Sequence, residues 1–218
     1  MAGVAARRLG ILGGTFDPVH FGHLLLAEQA RQALELEQVL FVPAGVPPHK
    51  LDEPHTPTEH RLRMLELALA DNPAFAISRV DVDRPGPHYS VDMVRLIRET
   101  QAPGTELFFL MGMDSLANIL SWYRPDLLIQ LCTLAVARRP SYTCDLDELE
   151  RRLPGIRRRL RFFDMPLMEI SGEDIRRRRR LGHSIRYLTP EPVRRYIEEH
   201  GLYRASAQDQ GDAGQRHG

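Results

Sequence analysis

The chain is short of cysteine, of lysine, of net charge and of long apolar runs, and each shortage excludes something. Only two cysteines occur among 218 residues, Cys132 in an apolar, strand-like run and Cys144 in a polar loop. They support neither a disulfide framework nor a cysteine-based zinc site. Twenty-nine basic residues balance twenty-nine acidic ones, which argues against a protein whose main task is to coat nucleic acid or an acidic membrane. The longest apolar runs, such as Leu107 to Met111, fall far below the roughly 20 residues of a bilayer span. The first residues put their charges, Arg7 and Arg8, after small apolar residues and lack the apolar core of a signal peptide. Lys50 is the only lysine against 28 arginines, a skew that reads as codon bias and locates no site. What is present, 43% apolar and 27% charged residues, is an ordinary globular mixture. The expectation is a soluble, cytoplasmic protein of one large domain or of one domain with a small appendage.

Strand-like and helix-like segments alternate, which predicts a doubly wound α/β fold, a parallel sheet of about five to six strands covered on both faces. The strands are expected at 8–12, 39–42, 75–82, 107–111, 132–137 and 161–163. The first ends on a Gly13-Gly14 turn, and a helix follows from Phe21 to Glu37. Residues 43–57 are rich in Pro, His and Gly and read as a long loop able to act as a lid. A second helix has Thr56 as N-cap, Pro57 at its first position and Glu59 completing a capping box, with Leu62, Leu65 and Leu69 as its apolar face. Ser90 is expected to cap a third helix, and a helical stretch containing Trp122, the only tryptophan, runs to about Leu131. Two helices, 172–181 and 190–200, complete a small helical C-terminal part spanning about 165–203 of a domain covering 1–203. Residues 204–218 contain no Leu, Ile, Val or aromatic, so this tail has nothing to bury and is expected to be disordered.

Ligands of such folds bind at the carboxyl ends of strands, near the point where strand order reverses. The loop after the first strand reads Gly13-Gly14-Thr15-Phe16-Asp17-Pro18-Val19-His20-Phe21-Gly22-His23. It is neither a Walker loop nor the Gly-x-Gly-x-x-Gly dinucleotide fingerprint. Glycines nevertheless let backbone N–H groups approach a phosphate, and the next helix aims its unpaired N–H groups and positive dipole end at the same place. His20 and His23 are spaced to share one helix face, and Gly22 between them removes a side chain that would block a ligand.

This string resembles the phosphate-binding signature of the nucleotidyltransferase superfamily named for its His-x-Gly-His motif. Further segments are similar to bacterial nicotinate-mononucleotide adenylyltransferases: Pro47-Pro48-His49-Lys50, Gly112-Met113-Asp114-Ser115 followed by Trp122-Tyr123, Arg138-Arg139-Pro140, and Ile170-Ser171-Gly172-Glu173-Asp174-Ile175-Arg176. The resemblance is collinear from about Arg8 to Tyr203. It implies transfer of AMP from ATP to nicotinate mononucleotide, giving nicotinate adenine dinucleotide and pyrophosphate, with Mg²⁺ accompanying ATP and no dedicated protein metal site. It further implies His20, His23 and Arg176 as catalytic residues. Gly13, Gly14, Thr15, Phe16, Gly22, Asp114, Ile170 and Ser171 would hold ATP and its phosphates. His49, Lys50, Ser90, Trp122, Tyr123 and Arg138 would hold the pyridine nucleotide. The implied partners are these small molecules, without nucleic acid or membrane, and the pattern is compatible with a homo-oligomer.

One departure stands out: Glu173 occupies the place of the family's usual threonine. A carboxylate aimed at a triphosphate would repel it, so Glu173 is expected to face solvent or help to cap. Blander readings exist throughout. A tryptophan is more often core than platform, His49 and Lys50 could be no more than polar loop residues, and the arginine runs 157–161 and 176–180 read as solvated helix faces neutralised by nearby acids. The competing functions are another adenylyltransferase, with a nicotinamide-mononucleotide or phosphopantetheine acceptor, a non-catalytic nucleotide-binding module, and a basic nucleic-acid-binding module.

Overall fold

The computed structural model of the chain describes residues 7–45, 55–138 and 144–205. His49, Lys50, most of the 43–57 loop and the tail beyond residue 205 lie outside the described residues. The chain divides into two compact units, one of Met1–Thr15, His23–Pro54 and Asn72–Leu167, the other of Phe16–Gly22, His55–Asp71 and Met168–Gly218.

The first unit holds a six-stranded sheet of β1 (Arg8–Gly14), β2 (Gln38–Pro43), β3 (Phe75–Ile77), β4 (Glu106–Gly112), β5 (Thr133–Ala137) and β6 (Leu160–Phe163). Every pairing is parallel, and the order across the sheet is β3-β2-β1-β4-β5-β6. The expected doubly wound architecture is therefore present. Succession runs outward from β1 to β3, then restarts on the other side of β1 with β4. The reversal falls between β1 and β4, so the loops leaving Gly14 and Gly112 open at the switch point. The strands read as near-continuous apolar runs because a parallel sheet is buried on both faces. Ile11, Leu107, Phe109, Leu134 and Val136 form one core with Val94 and Ile97 of the helix α3 (Ser90–Thr100).

Several expected boundaries differ, each for a local reason. β1 runs through Gly13 and Gly14, which pair with Val42 and Pro43 of β2, so the two glycines belong to the strand and form no turn. The left-handed residue is Phe16, at φ 51°. The helix α1 (Phe21–Ala33) stops short of Glu37 because Glu35 adopts φ 53°. β3 is a three-residue edge strand where eight residues were expected: from Arg79 the chain turns, with the Asp83 N–H on the Arg79 carbonyl and an Arg79–Asp83 ion pair. The Trp122 stretch is broken into α4 (Met113–Ala117), a 3-10 turn at Ile119–Ser121 and α5 (Pro125–Leu131), because Arg124 is left-handed and Pro125 restarts the helix. An additional helix, α6 (Leu146–Arg152), is capped by the Asp145 carboxylate, which accepts from the Asp147 and Glu148 N–H groups.

In the second unit α2 (Thr58–Leu69) packs against α8 (Glu191–Glu199), burying Leu62, Leu65 and Leu69 with Val193 and Ile197. The expected apolar face of α2 is the observed one. The cap is shifted: Pro57 holds the cap position and no side chain caps it, since Thr56 is drawn away by contacts described below. Ser90 likewise begins α3 without capping it, Tyr89 being the cap residue. The third helix of this unit is α7 (Gly172–Arg180). Among the described residues no helix is long and apolar enough to cross a membrane.

Candidate active site

The segment Phe16–Gly22 is pinned from several directions within its own unit. The Val19 carbonyl accepts from the buried Thr189 hydroxyl at 2.7 Å, and the Phe21 N–H donates to the Leu188 carbonyl at 3.2 Å. Phe16, only 1% exposed despite its left-handed φ, anchors the turn by burying its ring. Asp17, 6% exposed, takes a hydrogen bond from the Tyr203 hydroxyl at 2.5 Å and one from the Thr56 N–H at 3.2 Å. Its backbone carbonyl accepts from Arg176 Nη1 at 2.6 Å.

Arg61, 1% exposed, completes this cluster, donating to the Thr56 carbonyl and the Thr58 hydroxyl. Burial pushes its guanidinium down from the ordinary arginine range, and the negative field of Asp17 opposes that shift. Burial, then the Asp17 carboxylate, pushes the Tyr203 hydroxyl upward, so it stays protonated and donating. Asp17, Thr56, Arg61 and Tyr203 were not singled out as site residues by sequence reasoning.

The expected phosphate residues of this unit converge on the same segment. Ser171 caps α7, its hydroxyl accepting from the Asp174 N–H at 3.1 Å, as the capping pattern predicted. Gly172 lies so close to the Asp17 carbonyl that a Cβ there would sit 2.8 Å from the oxygen, which excludes any side chain. Gly22 is less tightly constrained: a Cβ would press on the His20 ring at 3.0 Å and reach the Ile170 carbonyl only at ordinary contact distance, 3.7 Å. Arg176 stands one turn into α7, held by one N–H and with no carboxylate within ion-pair range among the described residues. Glu173, the departure from the family pattern, is exposed.

His20 directly precedes α1, so it sits at the helix mouth and is not part of the helical face. It is 7% exposed, and burial lowers its pKa to about 4. At neutral pH the ring is therefore a neutral N–H donor. His23 lies in the first turn of α1, which carries no acidic residue to oppose an anion.

In the sheet unit, Gly13 and Gly14 end β1 and Thr15 follows, while the neighbouring β4 ends at Gly112, two residues before Asp114 in α4. An Asp114 carboxylate oxygen occupies the space over Gly112 that a Cβ would need. Trp122 is half-buried and meets the Phe109 ring edge-on at 5.8 Å, so it is partly a packing residue and partly open. Tyr123, 55% exposed, stacks on Tyr89 next to Ser90 at 4.2 Å between centroids. Arg138 is exposed, pairs with Asp164 at 3.3 Å and lies over the Phe162 ring. A cluster around two buried residues was also missed: Asp81 accepts twice from the half-buried Arg84, and His88 hydrogen-bonds the Arg84 carbonyl at 3.1 Å while closing over Gly45.

Two outcomes test this arrangement. Tyr203→Phe deletes one donor to a buried carboxylate and should lower the unfolding free energy by about 1–3 kcal/mol in urea titrations; an unchanged midpoint would remove Asp17 from its structural role. The unfolded chain protonates His20 near 6.5 whereas the native chain resists until about pH 4. Stability is thus unaffected by His20 above pH 6.5 and falls as pH drops toward 4, by up to about 3 kcal/mol. His20→Gln should flatten that part of the stability–pH curve, and equal slopes in the two proteins would contradict the burial of a neutral ring.

The sequence model of the Cytidylyltransferase-like family matches residues 11–178. A Thermomicrobium roseum protein named "Probable nicotinate-nucleotide adenylyltransferase" is 51% identical over 90% of this chain and 92% of its own. Proteins of the same name from Roseiflexus and Thermus thermophilus are each 44% identical over 90% of this chain, covering 98% and 100% of theirs. The fold is also that of a Plasmodium falciparum nicotinic acid mononucleotide adenylyltransferase solved with NaAD, at TM-score 0.73 and 17% identity over 90% of this chain and 97% of that one. The chain belongs to the nicotinate-nucleotide adenylyltransferases of the Cytidylyltransferase-like family.

Proposed function

We propose that the protein joins nicotinate mononucleotide to ATP, forming nicotinate adenine dinucleotide and pyrophosphate. A phosphate oxygen of the mononucleotide attacks the α-phosphorus of ATP. A new O–P bond forms, the bond from the α-phosphorus to the bridging oxygen breaks, and the electron pair leaves with pyrophosphate. The attacking phosphate is already ionised at neutral pH, so neither a general base nor a covalent nucleophile is needed. Catalysis reduces to positioning and to meeting the charge that shifts toward the leaving group.

The observation that carries this reading is the convergence of His20, Gly22, Ile170, Gly172 and Arg176 within one unit. A neutral imidazole N–H suits the α-phosphate, because it donates without first having to lose a counter-ion. We assign His20 to the α-phosphate and His23 with Arg176 to the β- and γ-phosphates, where Arg176 offers a fork of donors. The backbone of Gly14 and Thr15 would hold the acceptor phosphate, and Asp114 the adenosine ribose. Trp122 and Tyr123 would receive the pyridine ring, with Ser90, Arg138, His49 and Lys50 as its polar contacts. No three carboxylate, imidazole or thiol groups gather into a metal cluster among the described residues. Mg²⁺ would be carried on the triphosphate, with water as its remaining ligands. When bound, the ion supplies charge neutralisation, and the steps above belong to the chain's own groups.

His20→Ala should lower kcat by about 10²–10⁴-fold in a coupled pyrophosphate-release assay, the range for losing one charge-stabilising donor. With a panel of acceptors and ATP, nicotinate mononucleotide should exceed nicotinamide mononucleotide and phosphopantetheine in kcat/KM. Pyrophosphate release with none of them, while ATP still binds, would favour a non-catalytic nucleotide-binding module.

A further inference from the structure

The arginine run at 157–161 is not a uniformly solvated face. Arg157 takes Asp147 as its ion-pair partner, whereas Arg159 and Arg161 turn to a cavity of about 580 Å³ at the opposite end of the sheet from the switch-point loops. Arg8, Arg98, Arg159, Arg161 and Glu106 supply its charged lining. It sits at the amino ends of the strands, where Arg8 opens β1, Glu106 opens β4, Thr133 opens β5 and Arg161 is the second residue of β6. A seven-residue strand separates it by about 20 Å from the loops that leave the carboxyl ends.

Four guanidiniums face one carboxylate here. Only Arg8 is neutralised, by Glu35 and Glu106. Among the described residues Arg98, Arg159 and Arg161 have no carboxylate in ion-pair range. Two of them are nonetheless held in place by backbone carbonyls. Arg98 donates to Thr105 at 3.2 Å and Leu131 at 2.6 Å, and Arg161 donates to Leu160 at 2.8 Å. Their positive field reaches the cavity floor: burial pushes the Cys132 thiol up to about 12, and Arg98 and Arg159 pull against that rise. The thiol stays protonated, so the cavity is suited to binding and not to covalent chemistry. Guanidiniums fixed in advance and lacking counter-ions are the donors that multivalent phosphates select, because little side-chain freedom remains to be lost.

We propose that this cavity is a second anion site, separate from the candidate active site, that binds a compact multiply charged phosphate, a diphosphate or triphosphate either free or as the tail of a nucleotide. The inference does not depend on the proposed reaction.

The test is calorimetric titration of the full chain with inorganic triphosphate, compared with an Arg159→Ser/Arg161→Ser variant. Both residues are exposed, so folding should survive, and circular dichroism checks it; Arg98→Met serves as a second, single-charge variant. The wild type should show one more triphosphate equivalent than the double variant, or at least tenfold tighter binding at that step, with Arg98→Met intermediate. Should the proposed active site fail to take triphosphate, the wild type would bind one equivalent and the double variant none, so the two ideas fail separately. Titrations with ATP and with pyrophosphate distinguish a nucleotide tail from a free anion, since an equivalent lost by the double variant in either arm identifies that source. Equal stoichiometry and affinity in wild type and double variant would overturn the proposal. So would binding of a 20-base-pair DNA duplex at this face with none of triphosphate.

Discussion

Everything proposed for the chemistry depends on how Asp17 is held. Its carboxylate and its carbonyl face different tasks: the first fastens the segment to Tyr203 and Thr56, the second fixes the guanidinium of Arg176. One residue thereby sets both the path of the chain that carries His20 and the position of a cation on α7. Gly172 is the corollary, since only a residue without Cβ lets α7 begin this close to the Asp17 carbonyl. Arg61 supplies the compensating positive charge, buried and hydrogen-bonded to backbone and hydroxyl oxygens, as a buried carboxylate requires.

The electrostatics of this unit follow from that packing. Burial keeps the His20 ring neutral at pH 7. Arg176 brings a full charge that no carboxylate among the described residues cancels. A phosphate transfer with an already ionised nucleophile needs this kind of division, oriented donors together with fixed positive charge, and no titrating base.

The sequence disclosed those features that repeat or stay local. Five strands and the helices α2, α3 and α8 follow apolar patterning, whereas α7 follows the Ser171 cap and its three-residue spacing to Asp174. β3 was overdrawn because a short edge strand and the turn after it share similar composition. α6 was missed because Leu-Asp-Glu-Leu-Glu-Arg-Arg buries one residue, Leu149, and has no apolar stripe. Cap positions slipped by one residue where a tertiary contact, such as the Thr56 N–H on Asp17, outcompeted the local capping pattern. The motif strings located His20, Gly22 and Arg176, but nothing in the sequence links Asp17 to Tyr203, which are 186 positions apart. Nor does any local signal show that Arg61, on a polar-looking helix, is buried.

The account rests on His20 being an uncharged donor until phosphate arrives. Nitrogen-15 NMR of the imidazole, recorded against pH with and without a non-hydrolysable ATP analogue and Mg²⁺, addresses that directly. Without nucleotide the ring of His20 should stay neutral from pH 8 down to about 5, and its nitrogen shifts should move when the analogue binds. A ring already protonated at pH 7 in the free protein, or one indifferent to the analogue, would contradict the account.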